Sequence, residues 1–245
     1  MKTLLALFAA SIISLSLNGK DFSKDVFKTS DGNLEISFVG HGTLMFEFNG
    51  MVIHIDPTMR EADYSELPDA DLILVTHDHG DHLDKTAINH ILKEDCAVVV
   101  TQSCIEQLGG FEDAVIMKNG DRKTIKGIDI EAVPAYNIVH VRGNGQAYHP
   151  KGIGNAYVLN LGDKRVLIGG DTENVPEIKA LRDIDIAFLP MNLPYTMTPE
   201  MVADAARSIR PKILYPYHFG QTDPEELTSM LKDEKNIEVR IRELQ

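Results

Sequence analysis

Between Thr76 and Asp84 the chain reads Thr-His-Asp-His-Gly-Asp-His-Leu-Asp. Three of its nine histidines fall within six residues there, interleaved with carboxylates. The stretch follows the apolar run Leu72-Ile73-Leu74-Val75, which has the length and composition of a buried strand. Imidazoles and carboxylates are ligands of a borderline divalent cation, and they must converge on one point from a rigid backbone. A strand end running into a glycine-containing loop supplies that rigidity. In His77-x-His79 both rings can turn to one side of an extended segment, whereas Asp81 and His82 can point to a second centre nearby. Two pairs predict two metals.

The pattern His77-x-His79-x-Asp81-His82 resembles the signature of the metallo-β-lactamase superfamily of metallohydrolases. That resemblance implies an α/β fold, a four-layer αββα sandwich of two face-to-face sheets with helices outside and a metal site at one edge. It also implies three further ligands: a loop histidine, an aspartate after a strand, and a histidine near the C-terminus. Asp171, in Gly169-Gly170-Asp171-Thr172, matches the bridging aspartate, and His218, in Pro216-Tyr217-His218-Phe219-Gly220, matches the terminal ligand. The loop ligand falls between Pro134 and Gly154, a stretch long enough to be functional, which holds both His140 and His149. Many related sequences carry this histidine after a Pro-Ala-x step, where this chain has Asn137. His149 is preferred to His140, because Pro150 and the neighbouring glycines would fix its approach.

Carried over in this way, His77, His79 and the loop histidine hold one metal, Asp81, His82 and His218 hold the other, and Asp171 bridges them. A hydroxide between the two ions is then the nucleophile, with Asp81 and Asp171 as the catalytic side chains. Zinc heads the candidate cofactors, and manganese or iron suits the same donors. Substrate contacts are expected from His41, in Gly40-His41-Gly42-Thr43, from Tyr195, and from Lys151 with Arg142 toward an anionic group. Asp78 and Asp84 are candidates to orient the ligand histidines from behind. His54 and His90 stand outside any ligand-like cluster and are expected to be structural.

A carboxylate at the bridge resembles lactonases, phosphodiesterases and thioester hydrolases more than true β-lactamases. A histidine rather than a glutamate at His79 is unlike the diiron oxygen-reducing branch. The resemblance covers about residues 33 to 220 and is nearest the branch containing ascorbate-phosphate lactonase and the phospholipase D-like lipid hydrolases. The expected activity is hydrolysis of a small ester, lactone or phosphodiester. The alternatives are a metal- or ligand-binding protein without turnover, and a β-lactamase-like amide hydrolase.

Composition limits what else the chain can be. At 245 residues and 43% hydrophobic content it can bury one sizeable core, but not this sandwich and a second full domain. A formal charge of -13 without any Lys/Arg cluster opposes a grip on nucleic acid, so a small molecule is the expected partner. Nothing indicates an oligomeric state. Lys2 followed by Leu4 to Ala10 and Ile12-Ile13 looks like a secretory signal, too short and serine-broken for a lasting anchor. The expected organisation is a signal at 1–19, a polar tether at 20–32 and a hydrolase domain at 33–245, placing the protein in the periplasm or outside the cell. Only Cys96 and Cys104 are present, and the strand-like run between them, at ~3.3 Å per residue, would keep their sulfurs apart. No disulfide is predicted.

Patterning elsewhere predicts strands at 34–38, 44–48 and 51–55, with Asn49-Gly50 turning the second hairpin. A helix at 85–93 precedes a strand around Val98, and two short strands meet at Gly127. A hairpin turns at Gly162-Asp163, and Thr198-Pro199 opens a helix reaching Ile209. No internal repeat is visible at the level of residues.

Overall fold

A computed structural model of the chain describes residues 22–244. The signal expected at 1–19 lies outside them. Two seven-stranded sheets form the centre of the fold. In the first, β1 (Ser23–Thr29), β2 (Gly32–Gly40), β3 (Thr43–Phe48) and β4 (Met51–Ile55) make an antiparallel meander. Then β5 (Ala70–Leu74), β6 (Leu92–Val100) and β7 (Val115–Ile116) add in parallel, linked through α1 (Lys85–Ile91) and α2 (Gln102–Leu108).

The second sheet repeats this plan. Strands β8 (Arg122–Ile125), β9 (Ile128–Ala135), β10 (Gly154–Leu161) and β11 (Lys164–Ile168) are antiparallel. After α3 (Pro176–Lys179), the strands β12 (Ile186–Pro190), β13 (Ile213–Tyr217) and β14 (Glu238–Val239) run parallel, with α4 (Pro199–Ile209) and α5 (Pro224–Leu231) between them.

Strand β5 shows why its sequence is a continuous apolar run. Leu72 and Leu74 face the core between the sheets, while Ile73, with Val75 just beyond, packs beneath Ala87, Ile88 and Ile91 of α1. A parallel strand covered on both faces has no polar side to alternate with. Between the sheets, Phe38 and Phe46 meet Phe188 at ring distances of 6.2 and 6.1 Å, and the Tyr157 hydroxyl donates to the Val75 carbonyl at 3.0 Å. Helix α4 starts as expected, with Thr198 Oγ1 accepting from Met201 N and Pro199 in the first turn. The chain is therefore an α/β sandwich of two sheets flanked by helices, with both cysteines free.

One expectation is corrected. Residues 23–29 of the expected tether form β1, paired along its whole length with β2. An edge strand exposes most of its side chains, so its mixed polar sequence carried no sign of burial. The short helices at Tyr64–Glu66 and Pro176–Lys179 were also not foreseen.

Candidate metal centre

The cluster assembles at one end of both sheets, where β4, β5, β11 and β13 deliver their C-terminal ends. His77, His79, Asp81 and His82 follow β5, Asp171 follows β11, His218 follows β13, and His149 lies on the loop between β9 and β10. Their side chains form three overlapping groups. His77, His79, His149 and Asp171 converge in one, His82, Asp171 and His218 in a second, and Asp81 and His218 with His41 in a third, each with donor atoms within 4.8 Å of one another. In the third, Asp81 Oδ2 lies 3.6 Å from His218 Nε2.

Asp171 belongs to the first two groups. Its Oδ2 lies 3.0 Å from His149 Nε2 and 3.7 Å from His77 Nε2, while its Oδ1 lies 3.4 Å from both His82 Nε2 and His218 Nε2. The Nε2 atoms of His77, His82 and His218 and the Asp171 Oδ1 are buried without a hydrogen-bond partner. Buried polar atoms are almost always satisfied, so four orphans aimed at one another identify a place built for cations. The donor set, imidazole with carboxylate, fits divalent metal.

Behind the ligands, neighbouring groups select the ring nitrogen that stays free. Asp56, after β4, accepts from His82 Nδ1 at 2.8 Å, from Thr76 Oγ1 at 2.7 Å and from Thr76 N at 2.7 Å. Thr76 Oγ1 in turn lies 3.1 Å from His77 Nδ1. Asn137 Oδ1 accepts from both His149 Nδ1, at 2.7 Å, and His149 N, at 2.8 Å. In each case Nδ1 carries the proton and Nε2 faces the cluster, the arrangement that orients metal-ligating histidines generally.

Charge is distributed unevenly. Burial opposes a charge on His82, but the Asp171 and Asp56 carboxylates outweigh it and push its pKa up to about 9. His77 is held well below the ordinary value by burial and by its histidine neighbours. Burial works against ionisation of Asp171 too, yet His218, His82 and His149 hold its carboxyl well below the usual range.

Of the two loop candidates, the structure brings His149 into the cluster and leaves His140 outside it, with its Nδ1 on Glu173 at 2.8 Å. His41 stacks against His218 at 3.8 Å between ring centres and lies 3.7 Å from Asp81 Oδ2, so it does border the site. Tyr195 is half exposed and edge-on to Tyr148, and its carbonyl accepts from Asn137 Nδ2 at 2.9 Å. Lys151 departs from expectation: its ammonium is engaged by Glu177 at 2.6 Å and Tyr136 at 3.2 Å, neither of them in the cluster. Arg142 lies over the Tyr148 ring. Asp78 takes Gln107, and Asp84 caps α1 and accepts from Met59 N, so neither stands behind a ligand histidine. Asp56 and Asn137 stand there instead, the first with no sign in the local sequence and the second marked only as a departure from the Pro-Ala-x histidine pattern. His54 bonds Pro68 O and packs on Tyr64, a structural position as expected, and His90 lies exposed on α1.

A family model for the β-lactamase superfamily domain matches residues 35–218. A metal-dependent hydrolase of Methanopyrus kandleri is 29% identical over 208 residues, covering 79% of this chain and 89% of its own. One from Geobacillus thermodenitrificans is 30% identical over 222 residues, covering 81% and 93%. A solved structure from Parabacteroides distasonis, whose name places it among metal-dependent hydrolases, is 48% identical with a TM-score of 0.86, covering 92% of this chain and all of its own. With the signature, the sandwich and the histidine–aspartate cluster in agreement, the chain belongs to the metallo-β-lactamase superfamily, among relatives named as metal-dependent hydrolases.

Proposed function

We propose that the protein is a dinuclear metal-dependent hydrolase of a small ester, lactone or phosphodiester. The observation that carries this reading is the division of Asp171, whose Oδ2 faces the imidazoles of His77 and His149 and whose Oδ1 faces those of His82 and His218, with the Nε2 atoms of His77, His82 and His218 buried and unpartnered. His77, His79 and His149 would hold one cation, and His82, His218 and Asp81 the other, zinc being the first candidate. When bound, such a pair polarises the scissile group and lowers the pKa of water from 15.7 to about 7.

The chain's own groups do the rest. Asp171 would keep the two cation sets at a set separation, and Asp81, ionised through its contacts with His218 and His41 despite burial, brings a second negative charge to the open side. His41 is positioned to touch substrate on the Asp81 side, and Tyr195, whose carbonyl accepts from Asn137, is the second candidate contact. Neither cysteine serves as nucleophile in this scheme, because burial pushes both thiols up to about 11. Export through residues 1–19 is part of the same proposal, supported by their apolar run after Lys2. No helix among the described residues is long and apolar enough to cross a membrane.

The test is metal content together with turnover of a lactone, a phosphodiester, a thioester and a β-lactam, for the wild type and Asp171→Ala. Two metals per chain with turnover on one bond class, both lost in the variant, is the expected result. Two metals without turnover on any of the four would favour a binding protein on this scaffold, and a chain that takes up no metal would end the proposal.

A further inference from the structure

Two residues beyond Asp171, the fully buried side chain of Glu173 gathers an unusual number of donors. Its oxygens accept from three consecutive backbone N–H groups, those of Ile138, Val139 and His140, each at 2.7 Å. They also accept from Asn137 Nδ2 at 3.0 Å and His140 Nδ1 at 2.8 Å. A buried carboxylate needs such compensation, but the same donors also pin the start of the loop that bears His149.

One of the five leads to a ligand. The Asn137 amide gives its N–H groups to Glu173 and to the Tyr195 carbonyl, at 2.9 Å, which leaves its oxygen facing His149. A carboxylate and a carbonyl only accept, so Glu173 acts with the Tyr195 carbonyl, and with the His149 N–H on the oxygen side, to fix which end of Asn137 meets the imidazole. With the amide oxygen there, His149 Nδ1 must carry the proton and Nε2 points its lone pair at Asp171 and His79, 3.0 and 3.2 Å away. In the other set His82 is oriented by a different residue, Asp56, whose link through Thr76 also reaches His77 but not His149.

We propose that Glu173 is a positioning residue for one cation site alone. Through Asn137 it sets the tautomer and aim of His149, and so controls the affinity of the His77–His79–His149 set while leaving the His82–His218 set unaffected. The inference rests on the metal-centre reading above and extends it to a carboxylate that touches no ligand.

The experiment loads the full chain with cobalt(II) and follows release of each ion to a chromophoric chelator, with the visible spectrum of the bound cobalt as a second readout. Glu173→Gln keeps the shape but presents an amide donor to N–H groups, and Asn137→Ala breaks only the link to His149. In both variants one of the two ions should bind about 10- to 100-fold more weakly with an altered spectrum, and the other as in the wild type. His140→Ala, which removes a donor that leads to no ligand, should leave both ions as they are. Equal loss of both ions, or two ions held at wild-type affinity by Glu173→Gln and Asn137→Ala, would overturn the proposal. A wild type that binds no cobalt would instead remove the metal-centre reading on which it stands.

Discussion

Three non-glycine residues at the cluster, His41, Asp56 and His218, hold φ angles of 45°, 48° and 47°. The left-handed region is costly for a side chain and persists where neighbours over-determine it. Here His218 N donates to His41 O at 3.0 Å, and His41 N to Leu244 O at 2.7 Å, so the backbone of each is held from outside. Gly42, between these turns, has no room for a side chain: a Cβ there would stand 2.8 Å from His82 Cε1 and 3.2 Å from His218 Cδ2. Gly42→Ala should therefore displace the His82 ring and weaken the second cation by about tenfold or more, with a stability loss of about 1–3 kcal/mol from overpacking. Metal titration and thermal melting would show both effects, and unchanged affinity would contradict the packing argument. The candidate ligands His77, His79, Asp81 and His82 were legible because they share one short motif. Asp56 was not, since its partners Thr76 and His82 lie 20 and 26 residues away and only the parallel pairing of β4 with β5 brings them together.

At the level of elements, β1 illustrates how an edge is secured. Its Asp25 reaches across to the second sheet, accepting from Tyr215 of β13 and from Arg240 and Arg242 beyond β14. Burial alone would raise the pKa of this carboxyl, but Arg242, Tyr215 and Arg240 together hold it below the usual aspartate range. A carboxyl depressed in the folded state stabilises above its unfolded pKa, and that contribution is lost as pH falls through the lower folded value. Asp25→Asn should accordingly lower the melting temperature at neutral pH, with the gap to wild type narrowing below about pH 4. Melting curves for both proteins across that range would check it, and a pH-independent gap would count against the ionic tie. The continuous apolar run of β5 and the capped, amphipathic α4 were legible in the sequence. Strand β1 was not, because its inward residues serve a partner more than two hundred positions away, as Asp25 to Arg242.

Across the whole molecule, the two halves share one plan, four antiparallel strands followed by three parallel ones. Asp56 follows the fourth strand of the first half, and Asp171 follows the fourth strand of the second. Asp56 holds the candidate ligand His82, and Asp171 is a candidate ligand itself. The first half supplies His77, His79, Asp81 and His82, while the second supplies His149, Asp171 and His218, so bound cations would cross-link the sheets. A metal that binds only the folded state stabilises by about 2.7 kcal/mol at a hundred times its Kd. For a chain of this size, stripping the metal with a chelator should lower Tm by about 5–10 °C, restored by adding it back. An unchanged Tm would mean that the cations do not tie the halves together.

Two kinds of information divided the outcome. Local sequence was sufficient for the metal-binding chemistry and for the elements with a strong period, because a ligand pair two residues apart and an amphipathic stripe both express themselves within a few residues. The choice of His149 over His140, the supporting parts of Asp56, Asn137 and Glu173, and the commitment of Lys151 to Glu177 depended on contacts between segments far apart in the chain. Each depends on polar groups that meet only once the two sheets have packed, a condition that exists only in the folded molecule.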